Sequence, residues 1–321
     1  MQCVLTFVFT RGKSCCYKEE LYIVRLQNYY EDIKAKIAET IALSKELGCD
    51  KVIHGGDLTD APAMSLAMCD EIVDLIEDGQ IPWDVIRGNH DEIGHNPNLS
   101  GESILDHIFR RSKIIRHLGG QANSKDDNMD VFIEGFDYYH GIEKDIKEKG
   151  LNCCMPHLPG KKIAVVHAFI TPVPFLPSVL HIQIPDIKTD FDLVLIAHNH
   201  SEFGIIKQGR TTYVSIGALA RKTIASGDTS RMPNVLFIDT EAPIIRVIPL
   251  KCGKPAEEVF DMVKVREAKE FTASIDNFIQ SLESTKFQGL NLRAIIEQLA
   301  QQEGIDREVV DEIMERIGSF E

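Results

Sequence analysis

Four short stretches place metal-binding side chains directly behind apolar runs. KVI leads into HGGDLTD (54–60), which supplies Asp57 and Asp60; WDVI leads into RGNHD (87–91), which supplies Asn89, His90 and Asp91. KIAVV leads into His167, and DLVLIA leads into HNH, with His198 and His200. Carboxylate, amide oxygen and imidazole are donors for manganese, iron or zinc. No cysteine accompanies them, which argues against a closed structural zinc site. Taken singly, each has a plain reading. Asp57 after two glycines fits a turn, Asn89 a turn, His90 a surface ring, His167 a core histidine and HNH a polar loop. As a set they point to one metal centre. On an extended strand, His198 and His200 would put both rings on one side. Two metals sharing one carboxylate, roughly 3.5–4 Å apart, clamp a phosphate and activate water. His90, beside a ligand, could protonate a departing alkoxide.

The elements that must carry these residues follow from periodicity. A strand is expected over 2–9 and a helix over 28–47, where Ile33, Ile37 and Ile41 recur at four-residue spacing before Gly48. A strand at 51–54, a helix at 64–78 and a strand at 83–86 complete an alternation that implies parallel strands with crossover helices. Further strands are expected at 131–134, 162–166, 192–197, 204–207, 212–216, 234–239 and 244–248, forming a second, partly antiparallel sheet. The fold class expected is α/β, a two-sheet sandwich with helices outside. Ligands in such sheets bind at the carboxyl ends of strands, where all four polar clusters stand. Residues 121–130 read as a surface loop. The stretch 171–190, with Pro172, Pro174, Pro177 and Pro185, cannot be regular throughout.

From about residue 255 helical periodicity takes over, with Phe271, Ile275, Phe278 and Leu282 and then Leu292, Ile295, Ile296 and Leu299. The expected division is a catalytic domain over 1–254 and a helical tail over 255–321. At 321 residues the chain suits one large domain with an appendage. A net charge of −14 excludes a nucleic-acid binder held by bulk basic charge. None of the eight cysteines forms a CxxC pattern, so no zinc or redox motif is signalled. The apolar run Val4 to Phe9 is too short for a secretory segment, and no run has membrane-spanning length. The expected setting is a reducing cytoplasm.

GGDLTD, RGNHD, a lone strand-end histidine and HNH together resemble the calcineurin-like metallophosphoesterases. The signature of that family runs DxH, GDxxD, GNH[DE], H and GHxH. Four of the five blocks are present, with Ala197 in place of the last glycine. The resemblance implies a two-sheet sandwich and a dinuclear site. Asp57 would bridge the metals, Asn89, His167 and His198 would hold one, and His200 would reach the other. His90 would assist catalysis, Asp91 would orient it, and Asp60 would support the ligands from behind. IHGGDLTDAP, SIGALAR (215–221) and the helical tail are similar to the SbcD-like DNA-repair nucleases of bacteria and phages. That branch implies a manganese-dependent DNA exonuclease or endonuclease in double-strand-break repair or recombination. Its partners would be DNA, an SMC-like ATPase docked on the tail, and a second copy of the chain. Tyr138, Tyr139 and His140 of FDYYHG, and Arg221, would lie on the DNA side.

The first block is missing from LTFVFTRGKS (5–14): no aspartate precedes Asp32 and no histidine precedes His54. One metal therefore keeps four ligands, while the second keeps Asp57 and His200. Three readings follow: an enzyme with one firm and one weak metal site, an impaired scaffold subunit, or a segment 1–27 that departs from the ancestral start. A small-molecule phosphoesterase is the further alternative, and a docking tail argues against it.

Overall fold

The computed structural model describes residues 2–6, 29–59, 65–93, 103–119, 131–157, 159–176, 179–221, 231–267, 270 and 310. The chain divides into two compact units, 1–260 and 261–321. In the second unit, residues 262–267 are helical. The apolar positions that carry the helical periodicity, Phe271 through Leu299, lie outside the described residues.

The first unit holds two main sheets. One contains β1 (Gln2–Thr6), β2 (Lys51–His54), β3 (Trp83–Val85), β4 (Ile115–His117), β12 (Asn234–Asp239) and β13 (Ile244–Pro249), in the order β13-β12-β1-β2-β3-β4. Within it β1 to β4 run parallel, and β12 and β13 pair antiparallel. The other contains β5 (Val131–Phe136), β6 (Lys161–His167), β9 (Leu193–Ala197), β10 (Gly204–Gln208) and β11 (Thr211–Ser215), in the order β10-β11-β9-β6-β5. Here all strands but β10 are parallel. A small parallel pair, β7 (Ile170–Thr171) with β8 (Ile182–Gln183), closes the base of the proline-rich stretch. A 3-10 turn at Ile184–Asp186 follows, with Pro185 in its first positions.

The layering is helix, sheet, sheet, helix. Ile53 and Ile86 on one side meet Ile163, Val165, Leu193 and Leu195 on the other in the central core. Val52 and Val85 face outward to α1 (Tyr29–Glu46), α2 (Leu66–Gly79) and α3 (Ile104–Arg111), where Ile33, Ile37 and Ile41 are buried. Ala164 and Val166 face outward toward Ile142 and Ile146 of α4 (Ile142–Lys149). Both faces of the central strands are thus covered, which is why they read as unbroken apolar runs. This is the α/β two-sheet sandwich expected from the sequence.

Two helices and three strands go beyond the periodicity: α3, α4, β4, β7 and β8. Each is short. The start of α3 is nonetheless encoded locally, because Ser103 and Asp106 form a reciprocal capping box. A short helix, α5 (Ala256–Val259), ends the unit.

Candidate metal centre

The backbone leaves β2 at His54 and turns through Gly55, Gly56 and Asp57. Gly56 has φ +97°, and a Cβ there would lie 2.6 Å from Nδ1 of His167. Asp57 itself has φ +53° and His198 has φ +86°. Left-handed backbone is costly for residues with a Cβ and concentrates at functional sites. The second sheet supplies the facing groups. His167 shares the parity of Ile163 and Val165, so it points into the space between the sheets at their carboxyl edge. There Nδ1 of His167 lies 2.8 Å from the carbonyl oxygen of Gly55. That bond assigns the ring hydrogen to Nδ1 and leaves Nε2 with a bare lone pair.

The donor atoms converge. Nε2 of His167 is 3.0 Å from Oδ1 of Asn89, and Nδ1 of His198 is 2.9 Å from the same oxygen. The two imidazole nitrogens are 3.0 Å apart. Oδ2 of Asp57 is 3.5 Å from Nε2 of His167. Donors around a divalent ion at roughly 2.1 Å are about 3.0 Å from their nearest neighbours. Among the described residues, His, Cys, Asp and Glu side chains alone form no group of three fit to hold a metal. The amide oxygen of Asn89 completes the set.

Protonation states agree with ligation. Burial pushes the His167 pKa well below the usual imidazole value, and the nearby His198 adds to this. Burial likewise takes His198 down to about 3, helped by His200 and His90. Both rings are neutral near pH 7 and offer lone pairs rather than charge. Carboxylates surround the cluster. Burial raises the pKa of Tyr138, and the charges of Glu143, Glu92 and Asp57 raise it further. Such an acidic, partly desolvated setting favours a cation. The residues present therefore fit a divalent metal.

The loop after β3 braces this arrangement. The backbone N–H of His90 donates to Oδ1 of Asp57 at 2.8 Å, and the backbone N–H of Arg87 donates to Asp137 at 2.7 Å. Asp91 is buried and accepts from the backbone N–H of Gly88 and from Thr59. Burial raises its pKa to about 6, against the lowering effect of those bonds.

Two rings grip His198. Tyr138 stacks on it with centroids 5.6 Å apart, and Phe169 meets it edge-on at 5.7 Å. Phe169 is held in turn by its N–H, which donates to Glu143 at 3.0 Å. Of the FDYYHG stretch, then, Tyr138 is the residue that touches the centre. Tyr139 turns away to donate its hydroxyl to Asp145 at 2.9 Å, and His140 is exposed just before α4.

The structure thus brings together Asp57, Asn89, His167 and His198, with His90 and Asp91 beside them. His200 is half-buried and near enough to His198 to help lower its pKa. Its expected placement on an extended strand needs correction. β9 ends at Ala197 and the chain turns at His198, so strand alternation does not align the two rings. The SIGALAR turn supports this bend: Gly217 has φ +70°, and a Cβ there would sit 2.6 Å from the carbonyl oxygen of His200. Arg221 also needs correction. It is 1% exposed and donates to the carbonyl oxygens of Arg231 and Lys254, which makes it an internal staple rather than a DNA-facing cation. Asp60 lies outside the described residues, as do residues 7–14, where the first block would stand. Thr59 and Phe169 are site residues that the sequence reading misses, and Tyr138, expected on the DNA side, stacks on His198 instead. For Thr59 the available signal is its place inside GDLTD.

A calcineurin-like phosphoesterase family profile matches residues 25–202, more than half of the chain. The chain belongs to the calcineurin-like phosphoesterase family. The matched span contains Asp57, Asn89, His167 and His198. No curated protein matches the chain. Among solved structures, that of TT1561 of Thermus thermophilus is 11% identical, with a TM-score of 0.46 over 78% of this chain and 99% of its own. Another is 12% identical, with a TM-score of 0.44 over 78% and 99%. As a calcineurin-like phosphoesterase, the protein is a metal-dependent hydrolase of phosphate esters. Among the described residues, no helix is long and apolar enough to cross a membrane.

Proposed function

We propose that this phosphoesterase is a manganese-dependent phosphodiesterase acting on DNA, the nuclease subunit of a repair or recombination complex. The observation that carries the reading is the convergence of Asp57, Asn89, His167 and His198 at the carboxyl ends of β2, β3, β6 and β9. These four residues would hold the cation. When bound, the cation supplies positive charge for the phosphate and acidity for the attacking water. The chain does the rest. His90, whose N–H is tied to Asp57, brings its ring to the rim and delivers a proton to the departing oxygen. Asp91 and Thr59 lock the two loops that carry Asp57 and Asn89. Tyr138 and Phe169 hold His198 in its orientation. DNA as substrate is supported by the similarity of IHGGDLTDAP and SIGALAR to the SbcD-like branch. On the same ground the segment after residue 255 docks an SMC-like ATPase, and two copies of the chain pair.

The test is hydrolysis of single-stranded and duplex oligonucleotides with manganese, by wild type and His167→Ala. Wild type should cut DNA, and the variant should lose both cutting and metal uptake. Hydrolysis of a nitrophenyl phosphodiester with DNA left intact would replace the DNA reading with a small-molecule one. The missing first block favours one competing reading, an impaired scaffold, and wild type that takes up no manganese would establish it.

A further inference from the structure

We propose that Phe175 is a stacking face for a nucleobase of single-stranded DNA next to the scissile phosphate, an inference that rests on the nuclease reading. A path of touching rings runs outward from the metal centre. Phe169 meets His198 at 5.7 Å on one side and Phe175 at 5.1 Å on the other. Phe175 is therefore two ring contacts from a metal ligand, within the span of one or two nucleotides. It is 43% exposed, and Val173 and Leu176 beside it are 63% and 60% exposed. Three large apolar side chains exposed within four residues form a candidate binding surface.

The backbone that carries the ring is tied down. The Phe175 N–H donates to Nε2 of His181 at 3.2 Å, and Nδ1 of His181 lies 2.8 Å from the carbonyl oxygen of Val179. One neutral tautomer, with the hydrogen on Nδ1, satisfies both bonds. The β7–β8 pair closes the loop at its base. A surface ordered before binding loses less entropy when it is covered.

Two arguments select a base as the occupant. The face is continuous with the metal centre, so an ester seated there must pass over it or turn away from it. A chain of net charge −14 also draws little affinity from bulk attraction to phosphate, so contacts to bases must supply more. Aromatic rings give such contacts without regard to sequence. Val173 and Leu176, two residues before it and one after, add exposed apolar surface near the ring.

The experiment is fluorescence anisotropy of a labelled single-stranded phosphorothioate oligonucleotide, whose backbone resists hydrolysis, with the full chain and manganese. Phe175→Ala should weaken binding about five- to 150-fold, the effect of losing one base–aromatic stack. Phe175→Trp should bind like wild type. A strand carrying an abasic residue at the stacked position should bind wild type and Phe175→Ala alike. Equal unfolding midpoints for the variants confirm that this exposed position leaves the fold intact. Phe175→Ala that binds the normal strand as wild type does, or that loses equally on normal and abasic strands, overturns the stacking face and assigns the patch to a protein partner. Wild type that cuts DNA in that case leaves the nuclease reading standing. Wild type that neither binds nor cuts DNA overturns both.

Discussion

Thr59 donates twice to one carboxylate oxygen of Asp91, through its backbone N–H and through its hydroxyl, both at 2.8 Å. The other oxygen takes the Gly88 N–H, also at 2.8 Å. One buried carboxylate thereby ties the loop after β2 to the loop after β3. Asp91 acts through the loops and is a positioning residue. Asp91→Ala would take the acceptor from the backbone N–H groups of Thr59, Gly88 and Asp57 and from the Thr59 hydroxyl, at a cost of at least about 3 kcal/mol. Asp91→Asn keeps the shape but loses acceptor capacity, and should fall between. Urea unfolding of the metal-free proteins measures this. An alanine variant with the wild-type midpoint would refute the strut.

Gly88 is where the two loops touch. A Cβ at this position would overlap Oδ1, Cγ and the backbone nitrogen of Asp57. The obstacle includes backbone, so it cannot swing aside. Gly88→Ala should therefore separate Asp57 from Asn89, reducing metal affinity more than overall stability. Overpacking of this kind costs roughly 1–3 kcal/mol. Calorimetric manganese titration of the variant, beside its urea midpoint, separates the two effects. Unchanged metal affinity would mean that the loops part elsewhere.

His90 follows Asn89 in the chain and donates its own N–H to Asp57. His90→Ala keeps the backbone donor and removes only the ring. Turnover should drop by about two to four orders of magnitude, the usual worth of a positioned acid or base. Manganese content should stay at the wild-type value. Full activity in the variant would reduce His90 to a turn residue.

His54 gives the fold a sensitivity to acid. It is fully buried at the end of β2, and burial lowers its pKa to about 3. The unfolded ring titrates near its ordinary value of about 6.5. Between those values the unfolded chain binds a proton that the folded chain refuses. The resulting stability is present above pH 6.5 and is lost as pH falls toward 3. The slope is about 1.4 kcal/mol per pH unit inside the window. His167 and His198 act in the same direction. His54→Phe, which keeps a ring against Trp83, should flatten the acid limb of a metal-free stability curve by one proton. An unaltered limb would show that His54 is already protonated in the folded state.

The site was legible because buried parallel strands are apolar on both faces, so chemistry begins where the run stops. Asp57, Asn89, His167 and His198 all stand at that discontinuity. Contacts between the sheets leave no such trace. Nothing local distinguishes Tyr138, which stacks on His198, from Tyr139, which points to Asp145. Nor does spacing reveal that His198 leaves its strand at φ +86°, which breaks the expected alignment with His200. Arg221 reads as a surface cation because arginine usually is one. Its burial follows from carbonyl groups 10 and 33 residues further along the chain. The α3 and α4 helices, eight residues each, are too short for periodicity to stand out.

The second metal is the sharpest remaining test. β1 pairs parallel with β2, and Thr6 is level with His54, so the first strand heads toward the same sheet edge as the ligands. The family's DxH pair would follow there, at positions outside the described residues. With Asp57 and His200 as its only matched ligands, a second ion should bind weakly and fill by mass action. Manganese titration should show one firm site and one weak site, with activity following the weak one. Supplying the missing donors should convert weak to firm, by Phe7→Asp with Phe9→His or by Phe9→Asp with Arg11→His. If neither pair strengthens the second site in a folded protein, the chain after β1 does not reach the centre. A single-metal enzyme would then account for any activity, and a scaffold would account for its absence.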